Sequence, residues 1–222
     1  LMREVTGKGF DAFTFAQADL KGSEAGLAGV TAKKLGIKLH HATLQASDLE
    51  NIFWSTLDAQ ALPFAHPTVM AQNHVFRSIH QGRFKVAIGG QGADEAFAGY
   101  RKFQLFYLKE LLGERKFAKF IREGIGVSQT LLRELRSPQR YLYYLLRFRK
   151  GDAGEFALNH GTTPSVPARS GSTLSQRQVL DVQNFSLPTL LRYEDSNSMY
   201  YSIESRMPFL DYRVVEFGLA LP

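Results

Sequence analysis

The chain has 222 residues, 44% of them hydrophobic, with 27 Lys and Arg against 21 Asp and Glu and no cysteine. That is apolar material for one large domain or two small ones, and the absence of thiols excludes disulfides and thiolate metal ligands. No apolar run approaches the ~20 residues of a membrane helix, and the opening LMREVTGKGF lacks the apolar core of a signal peptide, so the expectation is a soluble, cytoplasmic protein without a membrane partner.

Phe10 to Gln17 (FDAFTFAQ) is aromatic-rich with partial alternation and reads as a strand. Ser23 to Leu35 reads as a helix, with Ser23 as N-cap, Glu24 in the first turn and Gly36 as terminator. Leu39 to Leu44 reads as a second strand, ended near His40. Ser47 is expected to cap the next helix, and Pro67 to open another in which Val69, Phe76 and Ile79 share a face. Phe84 to Ile88 reads as a short buried strand. This alternation predicts an α/β fold, a parallel sheet flanked by helices, over residues 1–100.

From Tyr100 the pattern turns helical, and residues 101–222 are expected to form a mostly helical C-terminal part. Helices are predicted at Phe103 to Leu112, Phe117 to Arg122, Thr130 to Arg136 and Arg140 to Phe148. Lys150 to Ser175, rich in Gly, Pro, Ser and Thr, reads as a long loop. Helices resume at Gln176 and run to the end, with breaks near Leu187 and Pro208. The basic stretch Arg133 to Lys150 mixes arginines with tyrosines, but Leu142, Leu145 and Leu146 recur at helical spacing. Its arginines therefore read as a solvated helix face, and no nucleic acid is expected.

Two constellations carry chemistry. The first is IGGQGADE, Ile88 to Glu95, where the third strand gives way to a helix. Glycines there let the backbone approach a ligand, and free amides at a helix start favour phosphate. Asp94 offers the oxygen that magnesium prefers when it bridges to phosphates. The run lacks the Lys-Ser or Lys-Thr of a Walker loop, and Glu95 replaces the last glycine of a dinucleotide fingerprint. A simple glycine turn joining strand to helix is the plainer alternative. The second constellation runs from Leu187 to Asp211. Leu187, Leu190, Leu191 and Glu194 lie along one helical stripe, so Glu194 continues an apolar face, where an acid needs a partner. Glu204 with Arg206, or Asp211 with an arginine, reads as a buried ion pair pinning a turn. The six histidines show no ligand spacing, and no zinc site is expected.

Together the two segments resemble the synthetase domain of the glutamine-dependent asparagine synthases. In that family the first motif runs roughly SGEGADELFGGY and the second LLRYEDRNSMAFSIEARVPFLD. The similarity covers most of residues 10–222 and is weakest between Phe103 and Ser175. It implies a fold of the adenine-nucleotide α-hydrolase type. It also implies that ATP, with Mg2+, activates the side-chain carboxylate of aspartate as an acyl-adenylate, which ammonia converts to asparagine with release of AMP and pyrophosphate. By this resemblance Gly89, Gly90, Gly92, Asp94 and Glu95 bind ATP, Asp94 also holds the metal, and Gln91 faces the acyl-adenylate. Gln91 and Asp94 are thus the expected catalytic positions.

Three departures matter. The family's main pyrophosphate loop, SGGxDS, would lie upstream of Phe10 and is absent, so these residues alone are expected to be inactive. Gln91 stands where many members have Glu, and a neutral amide orients but does not accept a proton. Ser196 stands where the family has Lys or Arg, with Arg192 one turn earlier as a substitute. Both chain ends look cut, and the glutaminase domain that would supply ammonia, with its N-terminal cysteine, is missing. Its assembly, a homodimer included, is left open. The alternatives are an amidotransferase acting on another carboxylate, such as a sugar acid or peptide, and a non-catalytic binding domain.

Overall fold

The computed structural model describes residues 7, 9–16, 25–134 and 173–221. The Ser23 cap, the helix expected at Arg140 to Phe148 and nearly all of the predicted Lys150 to Ser175 loop lie outside them. The chain divides into two compact units that interleave in sequence. The first takes residues 1–89 and 190–208, the second 90–189 and 209–222.

In the first unit, β1 (Asp11–Ala16) and β2 (Lys38–Thr43) pair in parallel, Phe13 opposite His40. Helix α1 (Ala25–Leu35) lies between them in the chain, the crossover that parallel strands require. It ends at Gly36, at a φ of 60°. His40 does not end its strand. It sits within β2, stacked on Phe13 with ring centroids 4.6 Å apart and bonded to Asp11 at 2.6 Å.

Helix α2 (Leu49–Gln60) follows a single 3-10 turn at Ala46–Asp48. Ser47 falls inside that turn rather than capping the helix. The cap position is Asp48, already near helical angles (φ −94°, ψ −9°), so its side chain makes no capping bond. Helix α3 (Pro67–Gln81) opens on Pro67 and buries Val69, Phe76 and Ile79, as their spacing predicts.

Strand β3 (Val86–Ile88) pairs in parallel with β4 (Glu204–Arg206). Two corrections follow. The described strands form two two-stranded parallel sheets rather than one, and β3 is not buried: Val86 and Ile88 are 43% and 55% exposed. Among the described residues β3 pairs with β4 alone. The core of this unit gathers Phe76, Ile79 and Ile203, with Phe13, Phe84, Ala87 and Tyr201 packed against it.

In the second unit, a one-turn helix α4 (Ala93–Ala96) leads to α5 (Arg101–Gly113) and α6 (Phe117–Glu134). Helix α6 joins what read as two helices. Helix α7 (Leu174–Gln183) starts two residues earlier than expected because Thr173 caps it, accepting from the Gln176 amide at 3.3 Å. The break falls at Asn184 and Phe185, and Leu187 is already within α8 (Ser186–Tyr200). The unit boundary cuts α8 between Thr189 and Leu190. A second 3-10 turn, Pro208–Leu210, precedes α9 (Tyr212–Leu219). Buried Asp181 is held by Arg177 at 2.9 Å and Lys102 at 2.7 Å, which ties α7 to α5. Among the described residues no helix is long and apolar enough to cross a membrane.

Candidate functional site

The glycine run begins where the β3–β4 ladder ends. The Gly89 amide donates to the Arg206 carbonyl at 2.9 Å, which extends the ladder one residue past Ile88. Glu194, on α8, is 4% exposed, and its Oε1 accepts from Ser205 Oγ at 2.6 Å. The apolar stripe thus buries this acid as its spacing predicts, and Ser205 is one of its partners. A Cβ at Gly89 would stand 3.0 Å from the same Oε1, so the missing side chain is what lets the carboxylate lie against the strand end.

In the second unit the run continues as a tight turn. Nothing within 4 Å would meet a Cβ at Gly90, while the half-buried Gln91 follows it. Gly92 takes a φ of 89°, and a Cβ there would run into the Leu210 side chain. Only glycine satisfies both conditions without strain. The helix that follows has four residues, so the expected row of free helix amides with an aligned dipole is not built. The Ala93 amide turns back to the Gly90 carbonyl at 3.3 Å, and a single turn sums few peptide dipoles.

The two acids on this turn diverge. Asp94 is exposed, and its carbonyl accepts from the Gly99 amide at 2.9 Å. Glu95 is 1% exposed. Its Oε1 accepts from Ser186 Oγ at 2.8 Å and from the Tyr100 hydroxyl at 3.0 Å, while buried Oε2 meets no hydrogen-bond partner among the described residues. Burial, reinforced by the Glu95 carboxylate, pushes the Tyr100 hydroxyl well above its ordinary pKa. Gln178 Nε2 donates to the Glu95 and Ala96 carbonyls at 3.3 and 3.0 Å. Ser186, Gln178 and Tyr100 thus fix the turn from beneath. Sequence reasoning missed Ser186 and Gln178, since only folding brings them there; Tyr100, which closes the first motif, was the one signal available.

The ion pairs expected to be buried are at the surface. Glu204 and Arg206 meet at 2.8 Å with side chains about 60% exposed, because a three-residue edge strand sends alternate side chains to the same open face. Arg206 draws the Glu204 carboxyl below its ordinary pKa. Asp211 pairs with Arg213 at 2.7 Å and caps α9 through the Arg213 amide at 3.0 Å. These bonds lower its carboxyl to a pKa of about 2. Arg192 lies over the Tyr193 ring, 4.7 Å from its centroid, and Ser196 is half-buried.

No group of three or more potential metal-ligating side chains occurs among the described residues. A single exposed carboxylate still fits magnesium, which commonly binds one or two carboxylates and completes its shell with substrate phosphates and water. Asp94 would hold the ion, which would supply charge neutralisation on a departing pyrophosphate.

The chain is 23% identical to "Amidase chyE" of Penicillium rubens over 241 aligned positions. The alignment takes in 92% of this chain and 36% of the relative, so the chain spans about a third of that protein. The family model described as asparagine synthase matches residues 1–222, the whole length that carries both the glycine turn and the Glu194 segment, and the chain therefore belongs to the asparagine synthase family.

Proposed function

We propose that this chain is part of an ATP-dependent carbon–nitrogen ligase that adenylates the side-chain carboxylate of aspartate and passes it to ammonia, giving asparagine, AMP and pyrophosphate. The family match over residues 1–222 supports the reaction class. The observation that carries the reading at residue level is the split of the two acids: Glu95 is turned inward, while Asp94 is exposed at the turn. In this reading Asp94 binds the magnesium that accompanies ATP. Gly89, Gly90 and Gly92 keep the backbone bare beside the nucleotide, and Gln91 orients the acyl group through its amide. Glu95 serves the ATP site indirectly, by anchoring the turn. Ammonia comes from a glutaminase domain elsewhere in the whole protein.

A second acceptor is favoured by specific residues. Gln91 is neutral where a proton acceptor is usual in the resemblance, and Ser196 supplies no charge. With an amidase among its relatives, amide formation on a different carboxylate, such as a sugar acid or a peptide, is the competing version of the same chemistry.

ATP–pyrophosphate exchange by the full-length protein tests both. Exchange that requires Mg2+ and aspartate, is abolished by EDTA, and falls about a hundredfold in Asp94→Asn supports the first reading. Exchange with other carboxylates but not aspartate selects the second. A folded protein that exchanges with neither removes adenylation altogether.

A further inference from the structure

The way α4 ends sets what lies beside Asp94. The Phe97 amide closes the last helical bond on the Ala93 carbonyl at 2.9 Å, and Ala98 then turns left-handed at a φ of 55°. The Gly99 amide reaches back five residues to the Asp94 carbonyl at 2.9 Å. A left-handed residue followed by such a bond is the Schellman ending of a helix. It brings the residue after the left-handed one against the residue three before the cap, and an apolar pair often fills that contact. Here the two positions are Gly99 and Asp94, a bare backbone and an acid. A Cβ on Gly99 would run into Asp94 Oδ1 and stand 3.0 Å from its Cγ and 3.2 Å from its Cα. The carboxylate thus occupies space that any side chain at position 99 would take. Gly99 is not itself left-handed, so alanine there meets a shortage of room rather than backbone strain. The obstacle is the end of a side chain that can swing to another rotamer, so the carboxylate yields before the turn does.

We infer that Gly99 is a positioning residue for Asp94. By staying bare it admits the rotamer in which the carboxylate folds back over the loop, and that rotamer is the one that offers its oxygen to the metal. The inference rests on the reading of Asp94 as the magnesium ligand of an ATP site. Magnesium accepts ligands only near octahedral directions, so the direction from which Asp94 approaches matters as well as its charge. Gly99 acts through Asp94 alone.

Four forms of the full-length protein test this: the parent, Gly99→Ala, Asp94→Ala and the double variant. Gly99→Ala is expected to lower Tm by about 2–4 °C, and most of that loss should vanish in the Asp94→Ala background, where the obstructing carboxylate is gone. Calorimetric titration with MgATP should show Kd about tenfold weaker in Gly99→Ala, with no further loss when the substitution is added to Asp94→Ala. Titration with ATP in EDTA should give the same Kd for the parent and Gly99→Ala. Gly113→Ala, where an added Cβ meets nothing within 4 Å, should leave MgATP binding unchanged. Equal Tm losses in the two backgrounds overturn the inference, since the added methyl would then not be meeting the carboxylate. A folded Gly99→Ala protein with parental MgATP affinity also overturns it, as does one that loses affinity for ATP equally with and without metal. Coupled Tm values in a protein whose MgATP affinity is indifferent to Asp94→Ala support the seating of the carboxylate and count against Asp94 as the metal ligand.

Discussion

Asp94 and Glu95 are sequence neighbours on one helical turn, yet one faces water and the other is 1% exposed. The difference comes from what surrounds the turn. Ser186 and Tyr100 present hydroxyls to Glu95, and buried carboxylates persist only where donors meet them. Tyr100 gives this pair a pH signature. Its folded pKa lies above the ordinary 10.0, so above about pH 10 the unfolded chain loses the phenolic proton first. The stabilisation is complete below that pH and is lost as pH rises further. Urea unfolding between pH 8 and 11 should show stability declining above pH 10, with a shallower slope in Tyr100→Phe; equal slopes would show that Tyr100 is not the titrating group. Two residues before Tyr100, Ala98 takes a φ of 55°. The left-handed region costs a residue with a Cβ about 1–2 kcal/mol, partly offset by the greater freedom glycine has when unfolded. Ala98→Gly is therefore expected to raise stability by up to about 1 kcal/mol, read as a higher midpoint in chemical denaturation.

At the scale of elements, the helices with strong apolar spacing were legible and the short elements were not. Val69, Phe76 and Ile79 predict α3 because a 3.6-residue repeat needs no partner to be seen. Strand β4 has no such signal. Glu204, Ser205 and Arg206 become a strand only by pairing with β3, more than a hundred residues earlier in the chain. The same blindness hides close helix contacts. A Cβ on Gly218 of α9 would stand 2.7 Å from the Ala96 carbonyl oxygen of α4, whereas one on Gly124 of α6 would meet nothing within 4 Å. Identical substitutions should therefore have opposite signs. Gly218→Ala is expected to cost about 1–2 kcal/mol, since backbone must move and helix propensity returns only part of the loss. Gly124→Ala is expected to add about 1 kcal/mol. Paired denaturation curves check both, and destabilisation by Gly124→Ala would contradict the open surroundings of that position.

For the molecule as a whole, the long second motif is structural as much as chemical. Asn197 is fully buried on α8. Its Oδ1 accepts from Gln60 and Asn73, and its Nδ2 donates to Gln72 and to the Val69 carbonyl. One amide thus joins α2, α3 and α8 in the first unit. Asn197→Leu keeps the branched shape but is bulkier and orphans several buried polar groups, so a loss of about 3 kcal/mol is expected in calorimetry or urea unfolding. A near-neutral result would mean that water replaces the side chain. The sequence by itself determined the family, the alternation of strand and helix, and the glycine turn with its exposed acid, because these rest on local spacing and on residue types that only certain backbones tolerate. Only the tertiary structure decided that Glu95 turns inward, that Glu204 and Arg206 lie at the surface, and that Ser205 reaches Glu194. Each of these depends on which distant donor arrives beside a carboxylate, and burial is a property of neighbours that no stretch of chain carries alone.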